Sequence, residues 1–361
     1  MWEHFKGLSD TRQQHKVEHN LLEVIIMLVC AVTAGSESSV QIEMYCKTKE
    51  QMFKEKIGLK LENGVPSHDT FDRISQMLAP KEFQRCFNNW VNEIKSVIDK
   101  EIVSLDGKTL CGSRDNHKKA IHMVSAWANE NKLVLGQIKT EEESNEITAI
   151  PQLLDMLEVK GCIITIDAMG CQLEIVKKIT EREADYTIGL KGNQSTLHDD
   201  VKLWFADNLK DDYTRTYDLE HGRRETREYY LCTDINWLEQ RKDWANLNGI
   251  GMVKSTVVGK KNEKKTEETR YFITSLTDVK LFAKSVREHW GIENSLHWVL
   301  DVVYKEDNSR IRKDYSAENF AVIRHMSLNL LRLDKNSKMS LKVKRHKCTY
   351  DDDYLCRILF N

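Results

Sequence analysis

Residues 101–107 read EIVSLDG and residues 161–170 read GCIITIDAMG, and these two stretches decide how the chain is expected to fold. Each is an apolar run typical of a buried β-strand, and each carries an aspartate, Asp106 or Asp167, at its end. A carboxylate at the end of a buried strand is costly unless it is paired or binds a metal. One such aspartate is most simply a strand terminator or helix cap, but two on neighbouring strands favour a functional site.

The triplet Gly107-Lys108-Thr109 suggests a phosphate-binding loop at first sight. That motif requires another glycine five residues before Gly107, where the chain has Ile102. A nucleotide-binding P-loop is therefore excluded, and Asp106 needs another explanation.

Composition describes a globular chain of 361 residues that is 40% hydrophobic and 30% charged. The nine cysteines form no CxxC pair, so neither a zinc ribbon nor a disulfide framework is indicated. No apolar run is long enough to cross a membrane, and the first residues do not resemble a signal peptide. We therefore expect no membrane partner and a cytoplasmic location.

Hydrophobic periodicity divides the chain into regions of different texture. Residues 1–97 are predicted to form a helical module, and residues 98–334 to form an α/β core in which a mixed sheet is flanked by helices. Within this core, residues 210–276 have short β-prone segments and are predicted to be a β-rich insertion. A long helix, or two joined at Gly291, should follow from Asp278, and a C-terminal tail should occupy residues 335–361.

A third carboxylate is expected from the stretch VREHWGIENSLHWVLDVVY, which is predicted to be helical. Glu293, His297 and Asp301 are spaced i, i+4 and i+8 and so share one helical face. Apolar Trp290, Leu296 and Val299 indicate that much of this helix is buried. An amphipathic helix with a solvated polar stripe would give the same pattern, so the helix alone does not establish a site.

Several motifs in order along the chain resemble bacterial insertion-sequence transposases of the DDE class, in the group that includes the H-repeat-associated proteins of Rhs elements. The matching stretches are LSDTRQQHKVEHNLLEVI, VPSHDTFDRI, SLDGKTLCGS, TIDAMGCQ, LKGNQ, REHWGIENSLHWVLDVVYKED, SRIR and AENFAVIRHMSLNLL. The resemblance implies a ribonuclease-H-like core with a catalytic Asp-Asp-Glu triad. By motif these residues are Asp106, Asp167 and Glu293, with Glu288 and Asp301 as alternatives for the third.

The resemblance also implies that the triad holds two Mg²⁺ ions, for which Mn²⁺ can substitute. Asp106 would bridge both ions, and Asp167 and Glu293 would each hold one. Mg²⁺ prefers carboxylates, and two ions about 4 Å apart can stabilise both the attacking and the leaving oxygen of a phosphodiester. The chain departs from wider relatives at three positions near Glu293, where a tyrosine, an arginine and a lysine are replaced by Val286, His289 and Leu300.

Other polar residues of these motifs are candidates for contacts with DNA phosphates or for orienting the metal ligands, each with an alternative role as a surface or capping residue: Lys108, Lys191, Asn193, Arg287, His297, Arg310 and Arg312. Basic clusters near residues 221, 260, 310 and 342 are expected to contact the DNA backbone. Net charge is −2, so this basic character is local.

The expected function is a DNA transposase that cuts and joins strands at the ends of its own element. Its partners would be double-stranded DNA at terminal inverted repeats and target DNA, bound by a dimer, with the helical module recognising the repeats. Two alternatives stay open: a catalytically inactive descendant that still binds DNA, and a metal-dependent nuclease of the same fold that does not join strands.

Overall fold

A computed structural model gives the fold of residues 1–114, 119–141, 145–208, 212–220, 223–259 and 265–360. The described residues form one nine-stranded sheet in the order β3-β2-β1-β4-β5-β9-β8-β7-β6. The strands are β1 Ile102–Leu110, β2 Ile121–Ala128, β3 Leu133–Lys139, β4 Ile163–Ile166, β5 Asp185–Leu190, β6 Asp212–Glu220, β7 Arg223–Cys232, β8 Gly249–Gly259 and β9 Lys265–Thr274. The predicted α/β fold with a mixed sheet flanked by helices is confirmed at this level.

The helices precede, interrupt and follow the strands. Those before the sheet are α1 Leu21–Thr33, α2 Ser39–Thr48, the short α3 Glu50–Met52, α4 His68–Met77 and α5 Pro80–Ile94. Those between strands are α6 Glu146–Asp155, α7 Leu173–Glu181 and α8 Ser195–Asp207. Those after the last strand are α9 Val279–His289, α10 Trp298–Val302, α11 Ser316–Leu333, α12 Leu341–Tyr350 and α13 Asp352–Phe360.

Helix starts follow the sequence signals. Asn20 caps α1 by accepting hydrogen bonds from the Leu22 and Glu23 amides, and Asp278 caps α9 by accepting from the Leu281 amide at 2.7 Å. After α3, a π-helical turn ends at Gly58, whose φ of 83° is left-handed. Of the two alternatives for this region, one long helix or two joined at Gly291, the structure has the second with the junction at Trp290: α9 ends at His289, and a π-helical turn, Glu293–His297, leads into α10.

Parallel pairing brings the two aspartate motifs to the same level of the sheet. β1 pairs with β4 from Ile102 opposite Ile163 to Ser104 opposite Thr165. Asp106 and Asp167 each follow two residues later, so they leave the paired region together. The prediction that Asp106 closes its strand is wrong in one respect: β1 continues to Leu110 because the hairpin partner β2 stays paired with it over that length.

The β-rich character predicted for residues 210–276 is confirmed, but its strands extend the main sheet. β9 pairs antiparallel with β5, from Thr187 opposite Thr274 to Leu190 opposite Tyr271, and β8, β7 and β6 follow. β9 therefore lies next to β5, the strand that leads into the LKGNQ motif, and β7 lies two strands further along the sheet.

Helix α11 is the centre on which both ends of the chain pack. It contacts α1, α4, α5 and β3 as well as α12 and α13, and nearly all of its residues are buried. The apolar end of the chain docks as α13, with Tyr354, Leu355, Ile358 and Leu359 buried. The domain boundaries at residues 97 and 334 stay predictions, since one hydrophobic core runs across both.

Two further features, the cysteines and the apolar helices, bear on the predictions about disulfides and membrane spans. No disulfide joins any of the nine cysteines, all of which lie among the described residues, and seven of them are buried. No helix within the described ranges is long and apolar enough to cross a membrane.

Candidate active site

The three predicted carboxylates come from three different elements. Asp106 lies on β1 and is half-buried. Asp167 directly follows β4, is exposed, and accepts a hydrogen bond from the Met169 amide at 2.9 Å. Glu293 is exposed at the start of the π-helical turn. Strand β1, the end of β4 and the π-helical turn between α9 and α10 therefore supply the three carboxylates that the sequence predicted.

The surroundings of Asp106 make its ionised form unfavourable. Burial, with smaller contributions from the negative charges of Glu146, Asp167 and Glu293, raises its pKa from 3.8 to about 7, although a hydrogen bond with the Gly107 backbone acts in the opposite direction. Negative charge that is not compensated by the protein is what a cation-binding site requires before its cation arrives.

Glu146 is a fourth carboxylate at this position, and the sequence reasoning missed it. It lies in the first turn of α6, and its Oε1 is 2.8 Å from His122 Nε2 on β2. A Cβ at Gly107 would overlap both groups, so the glycine next to Asp106 lets them lie against the strand. No local signal marks Glu146, because only the β2–β3 hairpin brings α6 back over β1.

Helix α9, which precedes the turn of Glu293, packs on small polar side chains of the sheet. Ser104, Thr165 and Thr187 lie beneath α9, where Thr165 Oγ1 is 3.1 Å from His289 Nδ1 and Ser285 Oγ donates to Thr187 at 2.9 Å. Burial, with a smaller contribution from Arg270, lowers the pKa of His289 to about 4 despite the charge of Asp167. His289 is therefore neutral at physiological pH, at a position where the resemblance to the family led us to expect an arginine.

The two alternative third carboxylates are engaged elsewhere. Glu288 lies near Lys284, with 4.0 Å between Oε1 and Nζ, and burial raises its pKa. Asp301 is held by Lys108 at 2.7 Å. Glu293 has no recorded ion pair or hydrogen bond from its carboxylate to the part of the chain that the structure describes, and it is the one of the three whose charge acts on Asp106.

His297 contacts Asp106 directly. Its Nδ1 is 3.5 Å from Asp106 Oδ2, and its ring is largely buried. Burial, aided by the nearby charges of Lys108 and His122, lowers the pKa of His297 to about 4, so the imidazole is neutral at physiological pH. Its place beside the carboxylate fits the predicted orienting role better than a phosphate contact.

Lys108 is enclosed by carboxylates. Its Nζ lies 2.7 Å from Asp301, 2.9 Å from Asp307 and 3.7 Å from Glu306, and its side chain is 10% exposed. Burial alone would lower its pKa, but these three carboxylates raise it, so the ammonium group stays charged. The positive charge of Lys108 is therefore already compensated by carboxylates of the protein itself.

Arginines from β7, β9 and α9 line a cleft of about 350 Å³ that reaches Glu293. They are Arg227, Arg270 and Arg287, and the Arg270 guanidinium lies 4.8 Å from the centre of the Trp290 ring. Arg287 also makes a 3.5 Å contact with Asp218. Trp290 is 38% exposed, contrary to the prediction that it is buried, because its ring faces this cleft.

The LKGNQ motif borders a second cleft, of about 260 Å³, that contains Asp167 and Lys191. Asn193 donates to the Ala168 carbonyl at 2.8 Å, and Gln194 donates to the Cys171 carbonyl at 2.9 Å. These bonds fix the loop that carries Asp167. Lys191 is exposed, whereas the Asn193 amide is engaged in holding this loop.

The remaining basic candidates divide into exposed and engaged groups. Arg310 is exposed, and Arg312 donates from Nε to the Gly112 carbonyl at 2.7 Å. In the cluster of residues 342–347, Lys344 and Arg345 are buried, which does not fit the predicted DNA contact. His221 and Lys260, Lys261 and Lys264 lie outside the described residues; Arg223, Arg224 and Lys265 lie within them.

The donor chemistry fits Mg²⁺, although the side chains are not in ligand positions. Across the described ranges, no three His, Cys, Asp or Glu side chains lie at metal-ligand spacing. The charges that act on Asp106 nevertheless come from oxygen donors alone, which are the ligands that Mg²⁺ prefers. Asp167 and Glu293 are exposed, so their carboxylates have room to rotate toward an ion.

Comparison with known families decides the classification. Residues 97–330 match the transposase DDE domain, and residues 2–91 match the DDE_Tnp_1-associated family. The chain belongs to the DDE transposase family. The resemblance inferred from the sequence motifs is therefore confirmed.

Relatives of this DDE-family chain span nearly its whole length. The H repeat-associated putative transposase YhhI of Escherichia coli K12 is 39% identical over 99% of this chain and 97% of its own length. The putative transposase YncI of Escherichia coli O157:H7 is 42% identical over 98% of this chain and 92% of its own. A shorter relative, named inactive transposase YbfQ, is 36% identical over 20% of this chain and 86% of its own length.

Proposed function

We propose that this DDE-family chain cuts DNA at the ends of its own mobile element and joins the cut end to target DNA. The observation that carries the proposal is the parallel register of β1 and β4, from which Asp106 and Asp167 follow at the same level, together with the contact between Asp106 and His297 in the segment that carries Glu293. This geometry supports a site built from the three carboxylates that separate motifs predicted. Family membership supports double-stranded DNA as the partner.

We further propose a ribonuclease-H-like core. The order β3-β2-β1-β4-β5, with β1, β4 and β5 parallel, supports this assignment, because the two aspartates then follow adjacent parallel strands. The N-terminal helices would recognise the end repeats, and two copies would hold the two ends.

The carboxylates of Asp106, Asp167 and Glu293 would hold the divalent ions, with Asp106 between the other two. When bound, Mg²⁺ supplies the activation of the attacking oxygen and the stabilisation of the leaving 3′ oxygen. His297 keeps the Asp106 carboxylate oriented, and Asn193 fixes the loop of Asp167. Arg270 and Arg287 would bind the DNA phosphates that enter the cleft beside Glu293. They would exchange their exposed pairings with Glu268 and Asp218 for phosphate, whereas Arg227 is already enclosed by Asp218 and Glu225.

Each strand reaction is a displacement at phosphorus. In cutting, a water oxygen attacks, the bond to the 3′ oxygen breaks, and a 5′ phosphate and a 3′ hydroxyl result. In joining, that hydroxyl attacks a target phosphodiester, so one bond forms for each that breaks and no oxidant or energy source is needed.

The test is nicking of a labelled fragment from the DNA that flanks the gene, with Mg²⁺, Mn²⁺ or EDTA. Wild type is compared with Asp106→Asn, Asp167→Asn and Glu293→Gln, and with Asp99→Asn as an exposed control. Metal-dependent cleavage in wild type and the control, lost in the three variants while DNA binding persists, is the expected result. Cleavage that survives Glu293→Gln would reassign the third role.

A supercoiled plasmid target in the same reaction separates the alternatives. Transfer of the labelled end to the plasmid supports a transposase, whereas cutting without transfer supports a nuclease. Binding without cutting by the wild type supports an inactive descendant, which the relative named inactive makes a concrete alternative.

A further inference from the structure

Strand β1 and the helix pair that carries Glu293 touch at three successive levels. Ser104 Oγ donates to the Glu288 carbonyl at 3.4 Å. Asp106 Oδ2 lies 3.5 Å from His297 Nδ1. Lys108 Nζ lies 2.7 Å from Asp301 Oδ1. Residues 104, 106 and 108 point to one side of the strand, because side chains alternate along it.

Glu293 lies between the first and second levels. Its carboxylate has no hydrogen bond or ion pair to any described residue, so its position depends on the backbone of its own segment. That segment is short and begins at a break, since α9 ends at His289 and α10 ends at Val302. A fixed point is therefore needed at the far end of the segment.

The third level provides this fixed point. Besides Asp301, Lys108 contacts Asp307 at 2.9 Å and Glu306 at 3.7 Å, in the turn that follows α10. Glu306 is 2% exposed and lies 3.3 Å from Arg324 of α11. Buried charges of this kind are strongly destabilising when one partner is removed, so the network resists displacement.

We infer that Lys108 is a positioning residue that fixes the segment of Glu293 relative to Asp106 through its ion pair with Asp301. The inference rests on the proposed function, since it assigns Lys108 to the metal-holding carboxylates. Of the two roles that the sequence left open for Lys108, it selects the orientation of the metal ligands over a phosphate contact. A phosphate contact would require Lys108 to leave three carboxylates, one of them almost fully buried.

The experiment measures Mn²⁺ binding to the metal-free, full-length protein by titration calorimetry, without DNA. Lys108→Met is expected to raise the half-saturating Mn²⁺ concentration about tenfold or more, as loss of a residue that orients ligands does. Asp301→Asn should do the same, the double variant should be no worse than either single one, and Lys108→Arg should keep most of the affinity. Lys177→Met, at an exposed lysine, is the matched control.

DNA affinity is measured in parallel at two salt concentrations. The inference predicts that Lys108→Met leaves affinity and its salt dependence unchanged. A weaker affinity together with a salt slope reduced by about one would assign Lys108 to a phosphate and overturn the inference. Unchanged Mn²⁺ binding in both Lys108→Met and Asp301→Asn would overturn it as well.

The wild type distinguishes this failure from failure of the proposed function. If wild type binds no Mn²⁺, or binds it equally well after Asp106→Asn, the proposed metal site is wrong and the inference falls with it. If wild-type binding depends on Asp106 but not on Lys108, the proposed site stands and the positioning role alone is rejected. Should Lys108→Met not fold, Asp301→Asn and Lys108→Arg give the same decision.

Discussion

Ionisation of the Asp106 carboxyl group is unfavourable in the folded protein. Its carboxylate is half-buried, with Glu146, Asp167 and Glu293 near enough to raise its pKa. In the folded, metal-free protein Asp106 therefore holds its proton up to about pH 7, whereas the unfolded chain releases it near pH 3.8. The stability that follows is complete below the lower pKa and is lost as the pH rises through the higher one.

Asp106→Asn should consequently stabilise the metal-free protein at alkaline pH. We expect the free energy of unfolding to rise by about 2–4 kcal/mol near pH 8, and to change little near pH 4, where the carboxyl group is already neutral. Urea unfolding in EDTA at both pH values measures this, with Asp99→Asn as the control. An equal gain at both pH values would mean that the ionised, half-buried carboxylate is not the cause.

Gly107 is the second residue that the site depends on. Because Glu146 and His122 lie where its Cβ would be, Gly107→Ala must displace them. The displaced atoms are side-chain ends that can turn away, so we expect a loss of stability of only about 1 kcal/mol but a marked loss of metal-dependent cleavage. Gly192→Ala has open space around the added methyl group and should change neither. Normal cleavage in Gly107→Ala would show that the Glu146–His122 pair is not part of the site.

At the scale of elements, α11 closes the outer edge of the sheet. Asn329 accepts from the Val134 amide and donates to the Val134 carbonyl, both at 2.9 Å, and so replaces a neighbouring strand on β3. All four groups are buried. The helix thus covers an edge that would otherwise expose unpaired backbone groups.

Asn329→Ala should therefore cost about 2–4 kcal/mol, since it leaves two buried backbone groups without partners. Asn89→Ala, at an exposed helical position, is the matched control and should cost far less. Chemical unfolding of both variants gives the comparison. A similar loss in the two would mean that water or a rearranged side chain satisfies Val134.

Individual helices and strands were predicted more successfully than the pairing and packing between them. Local patterns identified β1 and β4, the β-rich character of residues 210–276, and two helices joined at Gly291 as one of two alternatives, because periodicity and turn residues act over short distances. Pairing of β9 with β5 depends on contacts across almost ninety residues, so no local pattern indicated that Arg227 and Arg270 lie beside Glu293. The role of Lys108 was left open between a phosphate contact and the orientation of metal ligands for the same reason, because its partners follow nearly two hundred residues later.

For the whole molecule, Arg345 of α12 joins parts that are distant in sequence. It donates to the Val32 carbonyl at the end of α1, at 2.8 Å, and to the Val303 carbonyl just after α10. Its guanidinium also lies 4.1 Å from the centre of the Tyr304 ring. Near it, Lys49 pairs with Asp352 at 2.7 Å, so the last helices hold the first ones against the core.

Arg345→Met should lower stability by about 2–4 kcal/mol, because two buried carbonyl groups lose a charged donor. We also expect a fall in cleavage larger than the fall in DNA binding, since Val303 ends the segment that carries Glu293. Lys338→Met, at an exposed position before α12, is the control. Thermal unfolding and the nicking assay measure the two effects, and an unaffected cleavage rate at a temperature where the variant is folded would contradict this coupling.

The place of Arg345 in the chain has a consequence for synthesis on the ribosome. Translation runs from the N-terminus, so α1, β1 and the segment of Glu293 all emerge before the arginine that joins Val32 to Val303 has been made. A nascent chain can thus display the helices that we propose recognise DNA while the carboxylates that we propose cut it still lack their final support. On that proposal, competence to break a chromosome should arrive at release of the finished polypeptide, not during its translation.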